Sequence, residues 1–543
     1  MLMEPRHRAV APPADGEPAR AVARLGVLLL RRGVVALLVG LVAYVVLEVE
    51  VFEATYPTQA SRDLVARLGE DPAVRMLSGV PAGTSIGALV VWDAGWLMQV
   101  VLGLWAVVAT ARLLRGDEEA GRTDWLLAGS AHPRRVLAAQ LAALGGATVL
   151  VGAAVGLAFA AAGTDAAGAT AFGSLLAGFG LTQVGLVALL SQVFGSRGRV
   201  LAVAGSALGA AFLLRMVANS ANGRAWLAWF TPLGWNDRLQ SFGDERWTAL
   251  LVPLGAAVVL ASAALALRGR RDTGAGVVRA ARRERSTTAF LGGPTRFAAR
   301  SAAATLAGWA VGLTAVGATV GWMLPSLERY LDEDPAYLEM LAVLGIARED
   351  VTGGFVSMMG VITGLALCLR VAWRVGAARS EEDSGRLEQL LVRPVPRWHW
   401  LAGHVVVAVV DAVVLSAVAG AATWLGATAA GAGLDAADAF AAMANPLPVV
   451  AVFLGLAVAL QGLAPRFVVG VTASVAMLLY VLELVGPPLA WPDLLVAVSP
   501  FHHLALVPVD PFGVAAALGM LGVALALGAV GFAAFARRDL VGA

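Results

Sequence analysis

The hydrophobic residues of this chain arrive in twelve blocks of about 20, each closed by charged or proline-containing breaks. That is the length a helix needs to cross about 30 Å of hydrocarbon. With 59% hydrophobic and 14% charged residues in 543, and a mean hydropathy of +0.76, one water-surrounded core cannot absorb so much apolar surface. The predicted fold class is therefore an all-α polytopic membrane protein. The predicted spans are 33–51, 88–110, 136–161, 171–194, 200–218 and 248–267, then 301–323, 352–373, 401–428, 446–463, 467–485 and 513–535. The first block ends in Glu48, Glu50 and Glu53 rather than small residues, which predicts a retained span instead of a cleaved signal. Cys368 is the single cysteine, so disulfides and cysteine metal sites within one chain are excluded.

Charge placement predicts orientation. Arg20, Arg24, Arg31 and Arg32 precede the first span, and Arg112, Arg115, Arg122, Arg134 and Arg135 separate the second from the third. Nine more arginines occupy 268–300, and Arg374, Arg379, Arg386, Arg393, Arg397, Arg466, Arg537 and Arg538 fall on the same side by parity. The intervening loops are acidic or mixed, as from Glu328 to Asp350. The positive-inside rule then puts both termini in the cytoplasm. All 40 basic residues are arginine, which with the abundant Ala, Gly and Val suggests a high-GC bacterium. A phosphate-binding P-loop needs a lysine. This chain has none, so it is not by itself a conventional Walker-type ATPase.

The even number of spans has an internal explanation. Glu118-Glu119-Ala120-Gly121-Arg122-Thr123-Asp124-Trp125-Leu126-Leu127 recurs as Glu382-Asp383-Ser384-Gly385-Arg386-Leu387-Glu388-Gln389-Leu390-Leu391, an offset of 264 (385 less 121). Asp71-Pro72-Ala73 recurs as Asp334-Pro335-Ala336, and Thr231-Pro232 as Ser499-Pro500. Such spacing predicts two parallel six-helix halves. The expected organisation is a cytoplasmic segment 1–32, a first half 33–267, a basic cytoplasmic linker 268–300 and a second half 301–543.

The repeated acidic-Gly-Arg segment is expected to be a short amphipathic helix, with Glu118 four residues before Arg122 and Glu382 four before Arg386, the favourable order for an ion pair. One reading makes it a membrane-surface helix that closes a loop; its recurrence in both halves favours a docking surface. The motif, the six-plus-six topology and the arginine-rich preamble resemble the ABC-2 permeases. More narrowly, they resemble the double-length actinobacterial permeases of the polyketide-antibiotic (tetronasin-type) exporter family, with a type V exporter-like architecture. That resemblance implies coupling helices contacting an ATPase at Glu118, Glu119, Gly121 and Arg122, and at Glu382, Asp383, Gly385 and Arg386. It also implies an interfacial elbow helix over 19–32 and two copies of a separate ABC ATP-binding subunit. ATP and magnesium would sit on that partner, and this chain would bind no cofactor. Arg134-Arg135 aligns with Trp398-His399, so the two docking surfaces differ.

Five other sets of residues are candidates. The aromatic-proline stretches with Phe230, Pro232 and Trp235, and with Pro500 and Phe501, are similar to outer re-entrant segments that could gate; equally, they could be interfacial anchors. Asp93 and Asp411 lie within spans, where a carboxylate is costly and so invites a functional reading. As proton carriers they would make the chain an ion-coupled secondary transporter; as satisfied structural groups they would not. Glu483 and Arg215 lie near span ends. Gly83-Thr84-Ser85-Ile86-Gly87 matches G-x-S-x-G, but it leads into a membrane helix rather than following a strand. The histidine spacings do not suit a metal, and the basic linker suits anionic lipid better than nucleic acid.

The expectation is thus a multi-pass cytoplasmic-membrane permease, not an enzyme. It would export hydrophobic, antibiotic- or drug-like molecules with energy from a separate ATPase.

Overall fold

The computed structural model describes residues 17–70, 72–128, 132–278, 293–333, 351–383, 387–388, 392, 396–485 and 491–539. Among them, 12 helices are long and apolar enough to cross a membrane. In the first unit, Met1–Arg283, these are α1 (Glu17–Thr55), α2 (Ile86–Ala111), α3 (Pro133–Ala161), α4 (Ala166–Val193), α5 (Arg197–Asn219) and α6 (Leu251–Arg268). In the second, Glu284–Ala543, they are α7 (Pro294–Glu333), α8 (Val351–Asp383), α9 (Arg397–Ala430), α10 (Ala436–Leu463), α11 (Val468–Val485) and α12 (Val514–Arg537). The chain is an all-helical polytopic protein.

Local chemistry sets the helix ends. Ser85, the serine of the G-x-S-x-G match, caps α2 by accepting the Ala88 N–H, and Asp165 caps α4 by accepting the Gly168 N–H. Proline opens α3 at its first position, where no N–H is needed. Within α10 the helix breaks at Asn445-Pro446, giving Ala436–Ala444 and Leu447–Leu463. The sequence placed the start of this span at 446 and missed the segment before the break. The segment 19–32, expected as a separate elbow, is instead part of the 39-residue α1. Gly26 and Gly33 do not interrupt that helix. A Cβ on Gly26 would lie 3.1 Å from Ala143, and one on Gly33 would lie 2.7 Å from Trp105, so both mark close approach to α3 and α2.

Each unit pairs its helices in the same way. In the first, α1 packs on α3, α3 on α4, α4 on α6, and α2 on both α4 and α5; in the second, α7 packs on α9, α9 on α10, α10 on α12, and α8 on both α10 and α11. Water gives these contacts no hydrophobic drive inside a bilayer, so close backbone approach must supply the packing. Between α3 and α4, a Cβ on Gly152 would lie 2.5 Å from the Gly173 carbonyl oxygen. The larger side chains fill the space around such crossings, with Met98, Leu102, Phe159, Phe172 and Phe179 fully buried in the first unit. In the second unit Trp400, Phe453, Val371 and Leu401 do the same.

One polar detail repeats with the fold. Thr231 Oγ1 donates to the Ala211 carbonyl (2.5 Å), and Ser499 Oγ donates to the Leu479 carbonyl (2.9 Å). Both residues of each pair are displaced by 268 (499 less 231, 479 less 211). The hydroxyl fastens the loop before the last span to the helix preceding it.

Candidate functional site

The acidic motif of the first unit is an extension of α2. The helix passes through a π-turn, Arg112–Gly116, into a short turn, Asp117–Glu119, and then stops. Gly121 has φ +71, in the left-handed region that glycine enters at little cost, and a new helix, Arg122–Leu127, starts beyond it. This break defeats the expected Glu118–Arg122 pair. Arg122 turns back to Asp117 instead, donating from Nε (3.0 Å) and Nη2 (2.5 Å) to Oδ1.

Glu118 points inward. Its side chain is 3% exposed and receives Arg115 Nη1 (3.1 Å), Arg268 Nη1 (3.3 Å), Arg271 Nη1 (2.8 Å) and Nη2 (2.7 Å), and the Gly274 N–H (2.7 Å). Arg115 also donates to the carbonyls of Gly195 (2.6 Å) and Gly274 (2.7 Å), and Arg271 Nε donates to Gln192 (2.9 Å). The segment after α6 is thereby laid on the end of α4, where Val277 and Val278 N–H groups bond the Gln192 and Val193 carbonyls. Glu119, exposed, accepts the Arg197 N–H (2.7 Å) at the start of α5. One buried carboxylate therefore ties together the ends of α2 and α6 and the segment that follows α6. Burying it is tolerable because its donors are charged and satisfy both oxygens.

The helix that Glu118 supports presents a different face. Trp125 is 86% exposed, and Arg122 and Asp124 are exposed beside it. Leu126 and Leu127 turn inward and pack with Val22, Val136 and Ala139, so the first turns of α1 and α3 buttress this short helix. A large aromatic held outward on a rigid mount is a feature of binding surfaces.

The second unit repeats the anchoring with other residues. Glu382, 264 positions after Glu118, is 6% exposed and takes Arg538 Nη2 on both oxygens (2.8 and 2.7 Å). Arg538 follows the last residue of α12 as Arg268 ends α6, and its carbonyl accepts Arg397 Nη1 (3.1 Å). Beside it, Glu381 accepts Trp400 Nε1 (3.1 Å) and lies 3.5 Å from His404 Nε2. Burial raises the Glu381 carboxyl, but the His404 and Trp400 hydrogen bonds and the Arg374 charge outweigh it, holding the group below its ordinary range. Gly385, Arg386 and the side chain of Asp383 lie outside the described residues.

Within each unit the residues proposed for an outer gate differ in exposure. Phe230 is 70% exposed, edge-on to Trp226 (5.9 Å), and Pro232 is half-buried with its carbonyl 3.5 Å from Gln99 Nε2. Trp235 is buried and donates to the Trp229 carbonyl (2.9 Å). Pro500 is half-buried, and Phe501 is buried between Phe453 (6.1 Å) and Tyr480 (5.6 Å). Trp235 and Phe501 thus pin their loops to the cores. The same end of the first unit holds Arg215, which is nearly fully buried rather than snorkelling. It makes a bidentate pair with Asp237 (2.9 Å twice) and donates to the Leu77 and Ser78 carbonyls (2.7 and 2.8 Å). In the second unit Glu483 pairs with His502 (3.1 Å).

Asp93 and Asp411 are in different units and different settings. Asp93 is exposed near the start of α2, with Glu48 and Tyr44 of α1 as its electrostatic neighbours. Asp411 is buried and paired with Arg370 of α8. It lies about 21 Å along α9 from Arg397 at 1.5 Å per residue. One turn along α8, Arg374 donates to the Ala298 carbonyl (3.0 Å) and contacts His404 Nδ1 (3.0 Å). The sequence reading passed over Arg370 and assigned Arg374 to a loop. Their spacing of four, which puts both on one helix face, was the available signal.

Among the described residues no cluster of three metal-ligating side chains occurs. Residues 291–536 match the family model "Multidrug efflux system permease Rv1217c, C-terminal domain". Over 493 residues the chain is 30% identical to the multidrug efflux system permease protein Rv1217c of Mycobacterium tuberculosis, covering 90% of this chain and 89% of that protein.

Proposed function

Because the chain belongs to the family of the Rv1217c multidrug efflux permeases, we propose that it is the membrane-spanning subunit of an ATP-driven exporter of hydrophobic, drug-like molecules. Two copies of a separate ABC ATP-binding subunit would supply the energy, carrying ATP and magnesium themselves. The ABC-2, tetronasin-type assignment belongs to the same reading, as does a cytoplasmic-membrane location with both termini and the motif end inside the cell. The chain would bind and gate without making or breaking bonds.

The observation that carries this reading is the contrast within the first motif. Trp125 is almost fully exposed on a short helix whose root, Glu118, is buried among three arginines. A residue that only closed a loop would gain nothing from such a mount. On closure of the ATP-binding subunits, force applied to Arg122–Leu127 would pass through Glu118 to Arg115 at the end of α2 and Arg268 at the end of α6. In the second unit the corresponding route runs from Glu382 to Arg538 at the end of α12. In this reading Trp125 and Arg122 meet the partner, while Glu118 and Glu382 are positioning residues behind the contact.

The test is reconstitution of the chain in proteoliposomes with its ATP-binding partner, reading efflux of a hydrophobic dye and dye-stimulated ATP hydrolysis. Trp125→Ala is expected to leave the permease folded while uncoupling hydrolysis from efflux. Dye efflux driven by an ion gradient without the ATP-binding subunit would overturn the proposal.

A further inference from the structure

Each unit fastens the loop before its last span to its fifth span at two levels. The first level is the hydroxyl bond already described, from Thr231 to Ala211 on α5 and from Ser499 to Leu479 on α11. One turn further along the same helices stand Arg215 and Glu483, again displaced by 268 (483 less 215). Each reaches back to its loop and pairs with a side chain there. The position is shared, but the sign and the chemistry are not.

In the first unit the pair is Arg215 with Asp237, at 1% and 9% side-chain exposure, and Asn219 Nδ2 donates to the same carboxylate (3.2 Å). An arginine–carboxylate pair keeps both charges between pH 5 and pH 8. In the second unit Glu483 Oε2 lies 3.1 Å and Oε1 3.4 Å from His502 Nδ1, with 28% and 37% of the side chains exposed. Histidine is the side chain whose charge changes in that same range. Glu483 is the charged group that α11 brings to His502; Tyr480, one turn earlier, packs against Phe501 instead. Of the nearby carboxylates, Asp510 accepts the Leu506 N–H (3.4 Å) and Asp493 is exposed at the start of its own turn. His503 stands edge-on to His502 (5.6 Å) and donates from Nε2 to the Ala497 carbonyl (2.9 Å), a bond that a neutral and a charged ring make alike.

We infer that the His502–Glu483 pair is a pH-dependent tie on the loop before the last span of the second unit, with no counterpart in the first. A neutral imidazole holds Glu483 by one ordinary hydrogen bond, whereas the imidazolium adds an opposite charge and a charge-assisted bond. The tie therefore tightens as pH falls through the histidine range and loosens as pH rises through it. Two bonds that do not titrate bracket it: Ser499 Oγ to the Leu479 carbonyl, and Asn445 Nδ2 to the Ala505 carbonyl (2.8 Å). Loosening is thus confined to the turn Pro500–His503 between them. On the orientation proposed above this turn faces outside the cell and would respond to external pH; the tie itself does not depend on that reading.

The experiment is hydrogen exchange on the full chain in nanodiscs, without any ATP-binding subunit, so its result is separate from the test of ATP-driven export. Protection is measured at pH 5.5 and pH 7.5, each relative to the intrinsic exchange rate at that pH. The reporting amides are those of His502 and Leu504, bonded to the Ser499 and Phe501 carbonyls (both 3.2 Å). A partly exposed ion pair is a modest interaction, so these amides should be about two- to fivefold better protected at pH 5.5. The Gln240 amide of the first unit, bonded to the Asn236 carbonyl (3.1 Å), should show no such difference. Glu483→Gln should remove the difference, and His502→Lys, a permanent cation, should hold the higher protection at both pH values. His503→Gln should leave the difference in place. Equal protection of the wild-type turn at the two pH values, or a difference that survives Glu483→Gln, would overturn the inference. So would loss of the difference in His503→Gln, which would move the titration to the other ring. If Glu483→Gln does not fold, a pH difference that persists in His502→Lys is decisive against it.

Discussion

Glu118 and Arg268 are 150 positions apart in sequence and 3.3 Å apart in the fold. The relationship recurs between Glu382 and Arg538, 156 positions apart and 2.7 Å from each other. Each unit thus locks the acidic motif after its second span to the end of its sixth. The locks are unequal: Glu118 gathers Arg115, Arg268 and Arg271, while the Arg538 that holds Glu382 is 18% exposed at its side chain.

That inequality predicts unequal variants. Glu118→Gln keeps the shape but leaves three buried guanidiniums without their counter-charge, at a cost of about 3–5 kcal/mol. Glu382→Gln loses one charge-assisted pair near solvent and should cost about 2 kcal/mol. Thermal unfolding of the purified chain in detergent should therefore show the larger drop for Glu118→Gln. An equal drop for both would mean that Arg115 and Arg271 contribute nothing beyond Arg268.

Trp125 should behave in the opposite way. At 86% exposure its replacement by alanine should change stability by no more than about 0.5 kcal/mol. If it is the anchor of the partner interface, the same change should weaken binding of the ATP-binding subunit by about 2 kcal/mol, or roughly 30-fold. Binding isotherms on the folded variant separate the two effects.

The membrane spans were legible in the sequence because a bilayer imposes a length on every apolar block, and that length can be counted. The duplication was legible because residues such as Gly121 and Gly385 keep their spacing. The motif's geometry was not, because the pattern Glu-x-x-x-Arg is the same whether the helix continues or breaks. Only the left-handed turn at Gly121 sends Arg122 to Asp117 and frees Glu118 for partners 150 or more residues away. The elbow over 19–32 was implied by the family resemblance and not by the residues themselves, which continue as one helix whose Gly26 and Gly33 are close contacts with α3 and α2. Nothing in the local sequence pairs Arg370 with Asp411, which is 41 positions away.

Glu381 gives a prediction about pH. Its carboxyl is held below its ordinary range, so in the folded chain it stays ionised at a pH where the unfolded chain, with a glutamate pKa of about 4.3, takes up a proton. Its contribution is therefore complete above that unfolded value and is lost as pH falls through the lower, folded one. The unfolding temperature should fall between pH 7 and pH 4, and the fall should be shallower for Glu381→Gln. An identical slope in the variant would show that the bonds from Trp400 and His404 do not favour the ionised form.

The Arg370–Asp411 pair separates a structural charge from a proton carrier. Both side chains are nearly fully buried, at 3% and 2% exposure, so removing either one strands the other. Arg370→Met and Asp411→Leu should each destabilise the chain by about 3–5 kcal/mol, whereas the double variant, which strands neither member of the pair, should recover part of that loss. A proton carrier predicts something else: the double variant would fold yet export nothing, since the titrating group is gone. Dye efflux with the ATP-binding subunit present decides between them. Because the pair neutralises itself within one unit, the double variant is expected to fold and to transport.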